Sequence, residues 1–407
     1  MNRKIYRSLF LGLSLTILSG CTESEDFSSP GKFHDPDVIN MSVLLDNQRE
    51  NNSSLTRAAE TNLASLETVG NSFMVWGYFS PAAATATPGN LYVGESNTVG
   101  TVINYTSTGW DYANQSKKAL WPSTDNPLNF QAVTPADYGT ISNTPADNVP
   151  CVAMLVTVPA DQADQKDLLF GHEESVTQSA HNSSVQLTFE HTMAQIGFQA
   201  RKTLTSLSVE IGGITIHNVR NSATVGYTGA LNGYKRTLAV SDYTTTVNDY
   251  AIGLSAASIP ITSSTAVQLN ADDGMLMMLP QSGTSSPDAW NTTANAPVSI
   301  DNANIEGHEL SYIEVACKVH SSGSYIIGTP TTFGSIYIPF KADWAIGSKY
   351  IYTLSFGSGA GGFDQNGNPT LAIISYDIDS MEDWQTVERS AMPISDSYNI
   401  TSSDEIL

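Results

Sequence analysis

Apolar side chains recur at every second residue along much of this chain, and in two places the phase of that alternation reverses within a single run. In VQLTFEHTMAQIGFQA, Val185, Leu187 and Phe189 keep one parity, whereas Ala194, Ile196, Phe198 and Ala200 keep the other. A period of two belongs to strands, whose successive side chains point to opposite faces. A reversal near His191 to Met193 therefore predicts a bulge or a crossing between sheets. LSVEIGGITI reverses in the same way at Gly212-Gly213. In YIYTLSF, Tyr350, Tyr352, Leu354 and Phe356 share one face, while Ile351, Thr353 and Ser355 share the other. One segment reads as helical, from Ala59 to Thr68, with Ala59, Leu63 and Leu66 as its apolar positions.

The connections are rich in Gly, Pro, Asn, Ser and Thr, as in SPAAATATPGN (80–90), QSGTSSPDAWNTTANAP (281–297) and GSGAGGFDQNGNP (357–369). Many short strands joined by such loops predict an all-β chain of antiparallel sandwiches rather than parallel α/β units. A domain boundary is placed near Arg201-Lys202, where one dense set of strands closes and SLSVEIGG opens another.

The amino end is of another kind. Arg3, Lys4 and Arg7 precede an apolar run from Leu9 to Leu18, about half the ~20 residues of a membrane-spanning helix. Ser19 and Gly20 then stand before Cys21, so residues 1–21 resemble the lipobox leader of exported bacterial lipoproteins, in which this thiol is diacylated. Acyl chains contribute about 0.8 kcal/mol per buried methylene, so two or three of them hold a protein on a membrane. Residues 22–57 begin as a polar tether broken by Pro30 and Gly31, with Glu23, Glu25 and Asp26 just behind the lipid site.

Three of the 18 basic residues lie in the leader, which leaves 15 against 40 acids. Such a field repels nucleic acid and anionic lipid. Cys151 and Cys317 each sit in an apolar, strand-like run and read as buried thiols, with a disulfide as the alternative in an oxidising compartment. No metal site is expected, since no two histidines stand at a metal-ligand spacing, and no nucleophile elbow, P-loop or dinucleotide fingerprint is present. Neither a catalytic residue nor a cofactor is assigned. His191 reads as a packed or capping residue, DQNGNP as a hairpin turn, and Trp110 and Trp121 as core plugs, with sugar stacking as the alternative for these two and for Trp290.

VINMSVLLDNQRENNSSLTRAAE opens with a strand whose Ile39, Met41, Val43 and Leu45 share one face, followed by a polar loop with Arg49 and Arg57. An arginine exposed in an Asn/Ser-rich loop suits an arginine-specific protease, which needs a segment that opens locally. Arg57 equally suits the start of the short helix.

Taken in order, the lipobox, the strand followed by TRA (Thr56 to Ala58), FMVWGYF (73–79), ALWPSTDNPLNFQA (119–132), LTFEHTMAQIGF (187–198), MLMMLPQ (275–281), WAIGSKYIYTLSF (344–356) and SYDIDSMEDW (375–384) resemble the fimbrillins, the lipoprotein-derived subunits of type V pili. HTMAQ departs from that family's usual H-A-L-A-K pattern. The resemblance implies two transthyretin-like β-sandwiches in tandem, here 58–201 and 202–390, with a tail at 391–407. It also implies an outer-membrane lipoprotein at the cell surface, cleaved between Arg57 and Ala58 by an arginine-specific protease. The strand bearing Ile39, Met41, Val43 and Leu45 then leaves, and a strand from another fimbrial subunit replaces it in a head-to-tail polymer. Host or bacterial surface ligands are not specified. The alternative is a non-polymerising lipoprotein, anchored through Cys21, that binds a glycan or host protein.

Overall fold

The computed structural model describes residues 37–45 and 63–378, apart from breaks at 81–85, 88, 123–125, 144–151, 180–183, 229–236, 245, 272–274, 283–289, 292–295, 298–310, 341 and 359–373. Within these residues the regular structure is almost entirely strand, and the described part of the expected helical segment holds a single turn, Leu63–Leu66, that buries Leu66.

The sheet that positions the site has eight strands. Its order is Met41–Leu45, Val185–His191, Leu169–Val176, Leu128–Thr134, Ser72–Phe79, Thr101–Thr106 and Gly109–Tyr112, with Leu91–Val93 also paired to Ser72–Phe79. Alternation along the inner strands divides their side chains between two cores. Phe73, Val75, Phe130, Ala132 and Leu169 enter one, together with Leu187 and Phe189, while Trp76, Tyr78, Val133 and Phe170 enter the other. A strand buried on both faces needs apolar residues at both parities, as FMVWGYF has. Gly171 is required by close approach, because a Cβ there would stand 2.9 Å from the ring of Phe189 on the neighbouring strand.

Both phase reversals have structural counterparts. The chain leaves the eight-stranded sheet at His191 and enters a five-stranded sheet at Ala194, so the reversal is a crossing. Thr192 holds the corner, its N–H and hydroxyl both donating to the Leu168 carbonyl, at 2.9 and 2.6 Å. At Gly212-Gly213 the reversal is a bulge: Leu207–Arg220 shifts register against Tyr312–Ser321 between Ile211 and Gly213. The bulge lets Ile211 and Ile214 both reach the core.

Among the described residues, strand pairings are antiparallel except for two. Met41–Leu45 runs parallel to Val185–His191, and Ala194–Lys202 runs parallel to Lys349–Phe356. The latter pair meets apolar on one face, where Phe198 and Tyr352 lie 5.5 Å apart, and polar on the other. There Gln199 donates to Thr353 at 2.7 Å and Arg201 to Ser355 at 3.0 Å. A four-stranded sheet, ordered Thr237–Ser241, Ser222–Thr228, Val152–Thr157 and Gly139–Asn143, takes strands from both sides of the boundary expected at 201/202. The second core likewise runs from Trp76 to Ile374.

Candidate functional site

Four side chains of the amino-terminal strand converge as their spacing requires. Ile39, Met41, Val43 and Leu45 are 0 to 6% exposed and belong to the first core, with Leu66, Phe73, Tyr112, Trp121 and Phe189. Leu44, of opposite parity, is 37% exposed. At about 1.5–3 kcal/mol for each fully buried side chain, the four contribute roughly 6–12 kcal/mol, an upper figure because the unfolded chain already hides some of that surface.

The backbone of this segment is held from two sides. Along Met41–Leu45 it forms a parallel ladder, Met41 opposite Val185 and Leu45 opposite Phe189, extended by the Val185 N–H donating to the Asn40 carbonyl at 2.8 Å. Just before, it changes partner. Val38 bridges Leu120 in antiparallel fashion, the Ile39 N–H donates to the Ala119 carbonyl at 2.9 Å, and the Trp121 N–H donates to the Asp37 carbonyl at 2.8 Å. The Tyr112 hydroxyl donates to the Ile39 carbonyl at 2.6 Å. Tyr112 ends the last strand of the eight-stranded sheet, of which Met41–Leu45 is the first. The segment therefore ties together the two ends of that sheet.

Of the other residues singled out in the sequence, Trp121 is buried, and Trp110 is half-buried with its ring 4.9 Å from Phe73, so both pack in the first core. His191 is buried with its Nδ1 2.8 Å from Oδ2 of Asp167. Cys317 is a free, buried thiol. Cys21, Arg57, Ala58, Cys151, the DQNGNP turn and the side chain of Trp290 lie outside the described residues. Among the described residues no helix is long and apolar enough to cross a membrane. Sequence reasoning missed Tyr112. Its parity with Trp110 marks an inward face, but nothing nearby in the chain names Ile39 as its partner.

A family model described as "Fimbrillin-like" matches residues 56–374. No curated protein matches the chain. Among solved structures, a candidate cell adhesion protein from Bacteroides ovatus is 13% identical, covering 88% of this chain and 100% of its own, with a TM-score of 0.40. One from Parabacteroides distasonis is 9% identical, covering 87% and 99%, with a TM-score of 0.39. The fimbrial anchor protein Mfa2 from Porphyromonas gingivalis is 8% identical, covering 78% and 90%, with a TM-score of 0.30.

Proposed function

The chain belongs to the fimbrillin-like family, and from that premise we propose that it is a structural subunit or tip adhesin of a cell-surface fimbria, polymerised by exchange of its amino-terminal strand. In this reading the precursor is exported, lipidated at Cys21 and carried to the outer surface. An arginine-specific protease then cuts between Arg57 and Ala58. The fragment that ends at Arg57 contains the whole segment 37–45 and the lipid, so one cleavage frees the subunit from the membrane and from its own first strand.

The observation that carries the proposal is the placement of that segment. It places five side chains in the first core, the four above and Val38, yet it lies at the end of its sheet and is joined to the remaining chain through residues 46–62, which include Arg57. Removing it exposes the N–H and C=O groups of Val185–Phe189 beside an apolar floor, an edge that templates another strand. A contact of this heterologous kind grows open fibres wherever its rotation does not close a ring. Adhesion, in this reading, belongs to loops or to a tip.

The test is treatment of the purified precursor with an arginine-specific protease, followed by amino-terminal sequencing and electron microscopy. The expected product begins at Ala58 and forms filaments, and an Arg57→Ala protein forms none. Filaments of normal yield from Arg57→Ala in the presence of the protease would overturn the proposal. So would surface material that retains an acylated Cys21, which is the mark of an anchored binder.

A further inference from the structure

The segment 37–45 is gripped in two different ways, and the two grips ask different things of an occupant. The ladder with Val185–Phe189 reads only direction and parity: an incoming strand must run parallel to it and place apolar residues inward at alternate positions. A strand of five or six residues would satisfy that ladder. The grip at residues 37–39 lies beyond it, and consists of the Ala119 carbonyl, the Trp121 N–H and the Tyr112 hydroxyl.

Tyr112 is the one side chain among these three. It is 4% exposed, and burial pushes its hydroxyl up to about 12, against the opposing effect of a backbone hydrogen bond at Ala119 and with the help of the neighbouring Asp111 carboxylate. It thus stays protonated and remains a donor. Its acceptor is a backbone carbonyl, so it can read the presence of chain at this position whatever side chain that chain bears. If a short strand occupied the ladder alone, the hydroxyl would lose its acceptor beside apolar neighbours, and a buried polar group left unpaired is penalised more than a formed bond is rewarded. Ile39, the deepest of the four inward side chains at 0% exposure, would also be missing from its place.

We infer that Tyr112, with the backbone of Ala119 and Trp121, is a positioning site that selects for long occupants: extended segments of a second subunit that continue at least two residues beyond the amino-terminal end of the ladder. The inference rests on the strand-exchange reading above. The ligand class is an extended peptide of about eight residues with apolar side chains at four alternate positions, and the element that measures its length is the phenol.

The test uses the full chain in a Cys151→Ser background, carrying a fluorophore on the Cys21 thiol and nicked with an arginine-specific protease, so that the labelled fragment, which holds residues 37–45 whether the cut falls at Arg49 or Arg57, is seated but no longer covalently joined. Two unlabelled peptides, spanning residues 36–46 and 41–46, are titrated in, and the half-displacement concentrations are compared for the unmutated protein and for Tyr112→Phe. The ratio between long and short peptide is the readout. It cancels any general loosening, because the short peptide does not reach Tyr112. The expected result is that Tyr112→Phe reduces the preference for the long peptide by about two- to tenfold, the size of one buried hydrogen bond. On the unmutated protein, a long peptide with an ester in place of the Ile39–Asn40 amide weakens the same acceptor and is expected to show a loss of that order, which covers a Tyr112→Phe chain that fails to fold. An unchanged ratio, with both peptides displacing the fragment, overturns the inference and leaves strand exchange standing. A fragment that neither peptide displaces overturns strand exchange and the inference with it.

Discussion

The Nδ1 of His217 lies 3.0 Å from Oδ2 of Asp249, and its Nε2 lies 3.0 Å from Oε2 of Glu314, so one imidazole bridges carboxylates on the strands to either side of its own. The ring stacks on Tyr312 at 4.5 Å, and Glu314 also accepts hydrogen bonds from Ser335 and Tyr337. Burial disfavours the charged imidazole, but hydrogen bonding and charge from Asp249 and Glu314 outweigh it, and His217 is raised above the usual histidine range. Asp249 is lowered, first by its hydrogen bond to His217. A raised histidine contributes stability that is complete below its unfolded value, about 6.5, and is lost as pH climbs through the folded value. A lowered aspartate contributes above its unfolded value, about 3.9, and is lost as pH falls through the folded one. His217→Gln is therefore expected to lower the melting temperature most at about pH 5–6, with the difference shrinking towards pH 8. A pH-independent difference would contradict this account.

Ile39→Ala deletes a side chain that is 0% exposed, whereas Leu44→Ala, five residues on, trims one that is 37% exposed. The first is expected to cost about 2–5 kcal/mol and the second to fall within about 0.5 kcal/mol of the unmutated precursor. Urea midpoints of the uncleaved protein check both, and equal losses would mean that the segment is not seated in the core in solution.

Gly171→Ala would place a methyl group 2.9 Å from the Phe189 ring. The ring itself is fully buried and has little room to yield. A loss of about 1–3 kcal/mol is expected, as for other overpacked sites. Because Phe189 stands opposite Leu45 in the parallel ladder, the same substitution is expected to loosen the amino-terminal strand, seen as faster amide exchange at Met41–Leu45 than at Lys349–Phe356.

Burial pushes the Cys317 thiol up to about 12, and its side chain is 0% exposed. An aromatic disulfide reagent is expected to leave Cys317 unmodified in the native protein and to modify it at the rate of unfolding in urea, as mapped by peptide mass analysis. Rapid native labelling would contradict that burial.

Much of the local structure was legible because a period of two states which side chains share a face. The reversals at His191 to Met193 and at Gly212-Gly213 became a crossing and a bulge, the inward set of Ile39, Met41, Val43 and Leu45 was visible as a pattern, and Trp110 and Trp121, read as core plugs, pack in the first core. The choice between bulge and crossing was not readable. It depends on whether the next strand finds its partner in the old sheet or in a new one, as Ala194–Lys202 found Lys349–Phe356 some 150 residues away.

The sequence by itself determined the class of structure and the faces of its strands, since alternation and the Gly/Pro/Asn-rich connections act locally. It also contained the apolar run ahead of Cys21 and the arginine behind the first strand, which are linear features. Only the tertiary structure decided that this strand lies parallel to Val185–His191, that it joins both ends of one sheet, and that Tyr112 caps it. The reason is physical: periodicity fixes the direction in which a side chain points, whereas a backbone N–H or a phenol is generic, and its partner is chosen by which distant segment the packed core brings within hydrogen-bonding distance.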